Sequence, residues 1–211
     1  MQTTHEPHRL VIQNLDVLEA APPVVYDVER RVFSAIDGKL RKWMEAQGDW
    51  EGVFDYVDQE TSFKPQSWET AEDGTYRAYF ALAYDGTVKD SYYLSALLGV
   101  VTGRFGLWFK VDTTWVTRLG GKGARPSAEW KRYLAEQFAQ RRLGDAGYEL
   151  HGEGLVLPIR VNSATLAEDY PDSLSDSLSP VDDALLRLQA SVPLIQSLLE
   201  DALAYQFGER R

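Results

Sequence analysis

The sequence lacks cysteine altogether and has few histidines. Without cysteine, the 211 residues can form no disulfide, no thiolate nucleophile and no Cys-ligated zinc or iron–sulfur site. Two of the three histidines, His5 and His8, lie in a polar stretch that we expect to be a flexible tail over residues 1–8. The composition therefore predicts no histidine-rich metal site, and we expect neither a metal nor a cofactor.

Long apolar runs are also missing. No stretch approaches the roughly 18 consecutive apolar residues that a membrane-spanning helix needs. The opening residues, MQTTHEPHRL, lack the basic and apolar regions of a secretory signal. We therefore expect a soluble, cytoplasmic protein that does not contact a membrane.

Recognisable catalytic motifs are absent as well. The segment GGKGARPS (residues 120–127) has the Gly-Lys pair of a phosphate-binding P-loop, but Gly123 stands where that motif needs Ser or Thr. Nothing resembles G-x-S-x-G, H-E-x-x-H or a kinase loop. His151 could act as a general base beside Glu149 or Glu153, but a surface histidine at a strand end is the favoured interpretation. Enzymatic activity is therefore not the first expectation.

What the sequence does contain is ample material for a core. Hydrophobic residues make up 44% of the chain and aromatic residues 12%, which is typical of a folded domain. Apolar spacing of three and four predicts an N-terminal helix (24–47), a middle helix (127–142) and a long C-terminal helix (180–207). Alternating or continuous apolar runs predict a three-strand antiparallel meander over about 76–113, with strands at 76–84, 92–101 and 104–113. The middle strand could instead be a buried helix. A further one or two strands fall in 148–162, so we expect a single α+β domain over residues 1–211, with a mostly antiparallel sheet.

Two polar segments separate these elements. Residues 49–75 are acidic and irregular in pattern, and residues 163–179 form an acidic linker to the C-terminal helix. In that helix a 4-3 apolar spacing predicts a packing seam, made by Val181, Leu185, Leu188, Val192, Ile195, Leu199 and Ala202. Packing on the sheet is the first interpretation, and a homo-oligomer through a second apolar stripe is the alternative. Pro193 should kink or divide the helix.

Basic residues are concentrated in one segment of an acidic chain. The chain has a net charge of −10, yet residues 118–142 contain seven basic residues against two acidic ones. The glycine loop at 118–127 is interpreted first as a flexible connection between a strand and a helix. The alternative is contact with an anion or with nucleic acid. The residues that would make this contact are Arg118, Lys122, Arg125, Lys131 and Arg132.

Carboxylates are concentrated in two other segments. Residues 45–73 contain nine carboxylates against one lysine, and residues 163–186 contain six with no basic residue. The plain interpretation is a solvated surface, and the alternative is a docking face for a basic partner. The candidate docking residues are Asp49, Glu51, Asp55, Asp58, Glu60, Asp172 and Asp176.

Charge and aromatic content together suggest an interaction protein. The first hypothesis is an acidic, aromatic-rich protein that binds and inhibits or regulates a basic macromolecular partner. By composition alone it resembles small bacterial immunity proteins and phage anti-defence inhibitors. The alternative is a protein that binds nucleic acid, or processes it with a metal, through the basic segment at 118–142.

Overall fold

The structure is a computed structural model and describes residues 6–86, 92–120 and 123–208. Its helices are α1 (Glu6–Gln13), α2 (Leu15–Gln47), α3 (Tyr93–Leu97), α4 (Thr113–Thr117), α5 (Pro126–Gln140), α6 (Ser163–Asp169) and α7 (Ser179–Ala204), with a 3-10 turn at Leu143–Ala146. Its strands are β1 (Trp50–Phe54), β2 (Thr61–Pro65), β3 (Ala78–Tyr84), β4 (Phe105–Val111), β5 (Glu149–His151) and β6 (Gly154–Pro158). The fold is therefore α+β, as the sequence predicts.

All six strands join one antiparallel sheet. Their order is β1-β2-β3-β4-β6-β5, so the first four strands form a meander and the β5–β6 hairpin completes the sheet. The register places Phe80 opposite Phe109, and Leu107 opposite Leu157. Because side chains alternate along each strand, these residues share one face of the sheet.

Helices α2 and α7 cover that face. In α2, Val32, Ile36 and Leu40 are fully buried at spacings of four, and they belong to one cluster with the inward residues of the sheet. Aromatic contacts fix the arrangement: the ring centroids of Phe33 and Phe105 lie 5.6 Å apart. The predicted seam of α7 belongs to the same core, since six of its seven residues are buried and Val192 is half-buried. Intramolecular packing of this helix is thus confirmed, and the helix runs through Pro193 without dividing.

The predicted middle strand at 92–101 is wrong. Tyr93–Leu97 forms the short helix α3, and β3 pairs directly with β4. Ala96 and Leu97 at the end of this helix are buried, while Tyr93 at its start stays partly exposed. A short apolar run does not distinguish the two structures by its pattern, and here the helical alternative holds.

The segment at 49–75 is more regular than its acidity suggests. It contains β1 and β2, which pair with each other through five residues each. Trp50 and Phe54 face the core while Glu51 and Val53 point to the other side. This is the alternation of a half-buried strand, and the many carboxylates obscure it.

Helix α2 begins nine residues before the predicted start at Val24. Pro22 and Pro23 lie inside the helix and do not mark its first turn. The side chains of residues 9–20 are all exposed, so this part of the chain projects beyond the helices and strands around it. We call residues 9–28 the N-terminal arm. None of the helices within the described residues is long and apolar enough to cross a membrane.

The middle and C-terminal helices lie close to their predicted positions. Helix α5 starts at Pro126, one residue before the predicted start, and its N-cap is Arg125. The glycine loop before it joins two helices, α4 and α5, and not a strand to a helix. The predicted acidic linker at 163–179 contains α6, which Asn162 caps by accepting from Ala164 N–H at 2.9 Å. Leu174 and Leu178 anchor the rest of that segment in the core.

Candidate functional site

Two acidic segments meet at one turn of α2. Arg30 donates to Asp58 at 2.8 Å in the turn between β1 and β2. The next residue, Arg31, donates to the carbonyl of Pro171 in the loop between α6 and α7. Segments that are more than 100 residues apart in the chain therefore flank the same helical turn.

The two segments that these arginines contact carry four carboxylates. We call Asp55, Asp58, Asp172 and Asp176 the α2 acidic surface. Asp172 and Asp176 are exposed and Asp55 is half-buried. Within the described residues only Asp58 of the four has an ion pair. Negative charge therefore exceeds positive charge here even with both arginines counted.

Buried hydrogen bonds hold the β1–β2 turn in place. Asp37, buried within α2, accepts from Tyr56 N–H at 2.9 Å and from the Thr61 hydroxyl. Burial raises the pKa of Asp37 above its ordinary value, and the two hydrogen bonds oppose that rise. Arg41 donates to the Phe54 carbonyl at 3.1 Å. The acidic turn is therefore held against α2, and its carboxylates have defined positions.

The other predicted acidic residues lie elsewhere. Glu51 contacts Lys64 at 2.9 Å, and Glu60 accepts from the Ser62 hydroxyl at 3.1 Å. Strand alternation places both on the sheet face opposite the helices, which we call the outer sheet face. Asp49 is exposed just before β1. The seven predicted docking residues therefore do not form one surface, because Glu51 and Glu60 contact residues of β2 whereas Asp58 contacts Arg30 of α2.

The basic segment is partly neutralised within the chain. Arg132 contacts Glu129 at 2.6 Å. Arg118, Arg125 and Lys131 are exposed and have no ion pair among the described residues. Lys122 lies outside the described residues. Arg118 takes a left-handed conformation with φ of 54° as it ends α4.

A cluster that the sequence did not reveal lies at one end of the outer sheet face. His151 Nδ1 lies 3.0 Å from Asp85 Oδ2, and the Arg104 backbone N–H donates to Asp85 Oδ1 at 2.6 Å. Arg104 Nε donates to Glu149 at 2.6 Å. The ring of His151 meets Trp108 edge-on at 5.9 Å between centroids. No sequence signal links these residues, since Asp85 directly follows β3 and His151 ends β5, far apart in the chain.

An Asp–His pair of this kind can orient a general base. Among the hydrogen bonds between described residues, however, none joins His151 to a hydroxyl that could act as a nucleophile. The pair instead links the β5–β6 hairpin to the end of β3. Trp108 reinforces this link by donating from its indole N–H to the Ala83 carbonyl at 3.0 Å.

Lys110 is the other unusual group on the outer sheet face. It is half-buried and stands opposite Tyr79 across the β3–β4 pair. Burial lowers the pKa of its ammonium, and the negative charge of Glu60 opposes that shift. In the described parts of the chain, no group of three His, Asp or Glu side chains is arranged to hold a metal ion.

Comparisons with known proteins add no further constraint. No family model, curated protein or solved structure matches this chain. The function is therefore inferred from the geometry and charge of the described residues.

Proposed function

We propose that this chain is a binding protein that docks a basic macromolecular partner on the α2 acidic surface and thereby inhibits or regulates that partner. The observation that carries the proposal is the convergence of two distant acidic segments on Arg30 and Arg31. Carboxylates fixed on hydrogen-bonded turns present charge at defined positions, which favours recognition over general solvation.

Such a surface acts mainly on the rate of association. Opposed charges steer the encounter and raise the association rate, while exposed single ion pairs add little affinity each. Arg30 and Arg31 lower the mutual repulsion of the carboxylates in the free protein. A cationic side chain of the partner would compete with Arg30 for Asp58, so the site is only partly neutralised before binding and its ion pair can be exchanged.

The test uses charge reversal with a matched control. The double variant Asp55→Lys/Asp172→Lys removes two carboxylates that make no ion pair among the described residues. The control Glu136→Lys makes the same kind of change at an exposed position of α5. Each immobilised protein is exposed to lysate from the native host, and retained proteins are identified by mass spectrometry.

We expect that the wild type and the control retain a basic protein at physiological salt, and that the double variant does not retain it. Equal retention of every captured protein by the double variant would exclude the α2 acidic surface as the docking site. Circular dichroism of the double variant confirms that its fold is intact, since both positions lie outside the core.

A second candidate function has narrower support. Arg118 and Arg125 border the glycine loop and are exposed, and Lys131 is exposed on the helix that follows. These three side chains suit contact with phosphates of a nucleic acid. If they bind it, Arg118→Ala/Arg125→Ala should weaken binding to any sequence and flatten its salt dependence in a gel-shift assay. No shift by the wild type with duplex or single-stranded DNA or RNA rejects this function.

A further inference from the structure

The N-terminal arm carries most of the exposed large apolar side chains. Of fourteen such residues in the described chain, eight fall within residues 9–28. Seven of them are aliphatic, with exposed fractions from 48% to 75%: Leu10, Val11, Ile12, Leu15, Val17, Leu18 and Val24. Exposed apolar side chains concentrated in one segment mark a site of interaction.

The apolar face of the arm continues the face by which α2 enters the core. Stepping back from buried Val32 by three or four residues leads to Glu29, Val25, Pro22, Leu18 and Leu15 on the same side of the helix. Glu29 marks the boundary, because it is buried and accepts from Leu94 N–H at 2.8 Å. Beyond it the same face runs on with no covering element among the described residues.

The charged residues of the arm are mainly acidic. They are Asp16, Glu19 and Asp27, with Arg9 as the single cation of residues 9–28. An anionic membrane surface attracts helices with basic polar faces and repels carboxylates. The chemistry of the arm therefore fits a protein groove that is apolar within and basic at its rim.

The chain itself contains such a groove. It lies between α2 and α7, has a volume of about 620 Å³, and is lined by Ala35, Trp43, Leu174, Leu178, Leu185 and Leu186. Leu186 is 64% exposed and is the large apolar residue of α7 left outside the core. At the rim, Lys39 pairs with Asp182 at 2.6 Å, while Lys42 is exposed and has no ion pair among the described residues.

A chain cannot place its arm in its own groove while α2 stays continuous. Residues 15–28 of the arm and one wall of the groove belong to that same helix. At about 1.5 Å per residue, Leu18 lies roughly 30 Å from Lys39 along its axis. Two copies with antiparallel α2 helices remove this obstacle. With the two-fold axis near Val28, each Leu18 lies level with Lys39 of the other copy.

We propose that the chain forms a two-fold dimer in which the N-terminal arm of each copy lies in the α2–α7 groove of the other. The exchange is reciprocal, so it uses every arm and every groove and leaves nothing free for further growth. Both halves of the interface bury aliphatic surface, and Lys42 of one copy faces the carboxylates of the other copy's arm. This inference does not depend on the basic partner proposed above.

The first measurement is the mass of the wild type and three variants by sedimentation equilibrium. The wild type is expected at twice the 23.8 kDa chain mass at micromolar concentration. Leu15→Asp/Leu18→Asp in the arm and Leu186→Asp at the groove should each raise the dimer dissociation constant at least tenfold. The control Val100→Asp changes a residue that is 75% exposed outside both surfaces and should leave the dimer unchanged.

A wild type that stays monomeric at high concentration would overturn the proposal. So would a dimer that persists in the Leu15→Asp/Leu18→Asp variant. All four substituted residues are exposed, so circular dichroism should find each variant folded.

Cysteine cross-linking tests which surfaces meet, because the natural chain has no cysteine to interfere. Leu18→Cys mixed with Leu186→Cys should give a disulfide-linked heterodimer under mild oxidation, while either variant alone should give little. Efficient cross-linking of Leu18→Cys with itself would show an arm–arm contact and overturn the reciprocal arrangement.

Discussion

Asp37 shows how one buried carboxylate links the core to the acidic surface. It joins α2 to the β1–β2 turn through two hydrogen bonds, from Tyr56 N–H and from the Thr61 hydroxyl. Removing both acceptors should leave a backbone donor and a buried hydroxyl without partners, at a cost of about 2–3 kcal/mol. Urea unfolding of Asp37→Ala measures this loss. A change below about 0.5 kcal/mol would mean that the turn is held by other contacts.

The raised pKa of Asp37 gives a prediction with a definite sign. Since its pKa in the folded state lies above the ordinary value of 3.8, the folded protein binds this proton more tightly than the unfolded chain. The stability that this proton provides is complete below pH 3.8 and is lost as pH rises through the folded-state pKa. Asp37→Asn cannot ionise there, so its stability relative to wild type should rise across that interval. Urea unfolding at several pH values, with the difference between the two proteins plotted, checks the trend.

Substitution by alanine is expected to have opposite effects on stability at two glycines. A Cβ on Gly106 would lie 2.1 Å from the Leu157 carbonyl oxygen, so β4 and β6 would have to separate. Gly106→Ala should therefore destabilise the fold by about 1–3 kcal/mol. Gly38 lies inside α2 with nothing within 4 Å of an added Cβ. Gly38→Ala should stabilise the fold by about 0.8 kcal/mol through helix propensity. Thermal unfolding of the two variants should shift in opposite directions.

At the scale of elements, long periodic segments were predictable and short ones were not. The spacing in α7 identifies its buried side because a long amphipathic helix repeats its signal over many turns. The apolar run that becomes α3 is too short for its period to be read. Strands β1 and β2 were missed because each has only five residues and both lie in a segment rich in carboxylates and turns. The Asp85–His151 contact was unpredictable for another reason: it depends on the register of four strands.

Helix α7 allows a direct test of core against surface. Leu188 is fully buried, whereas Leu186 two residues earlier is 64% exposed. Leu188→Asp places a charge in the core and should cost about 4 kcal/mol or more, enough to unfold many domains. Leu186→Asp should retain the native circular dichroism spectrum and melting cooperativity. Similar losses in both variants would mean that Leu186 is buried in the free chain.

At the scale of the whole molecule, α2 connects both proposals. Its N-terminal part forms the arm, its middle carries Arg30 and Arg31, and its C-terminal part forms one wall of the apolar groove. The two proposed contacts differ in their physics, because one is governed by charge and the other by apolar burial. Salt should therefore separate them.

Raising the salt concentration should weaken binding of the basic partner and leave the dimer intact. Charges on exposed surfaces are screened over about 8 Å at physiological ionic strength, and over about 3 Å at 1 M salt. The association rate of the captured basic protein should therefore fall at least tenfold between low and high salt, as surface plasmon resonance would measure. Burial of aliphatic side chains is not weakened by salt, so sedimentation should find the dimer at both concentrations. If the affinity for the partner does not depend on salt, the α2 acidic surface is not the binding site. If the dimer dissociates at high salt, the two copies are held together mainly by Lys42 and the carboxylates of the arm, and less by its leucines.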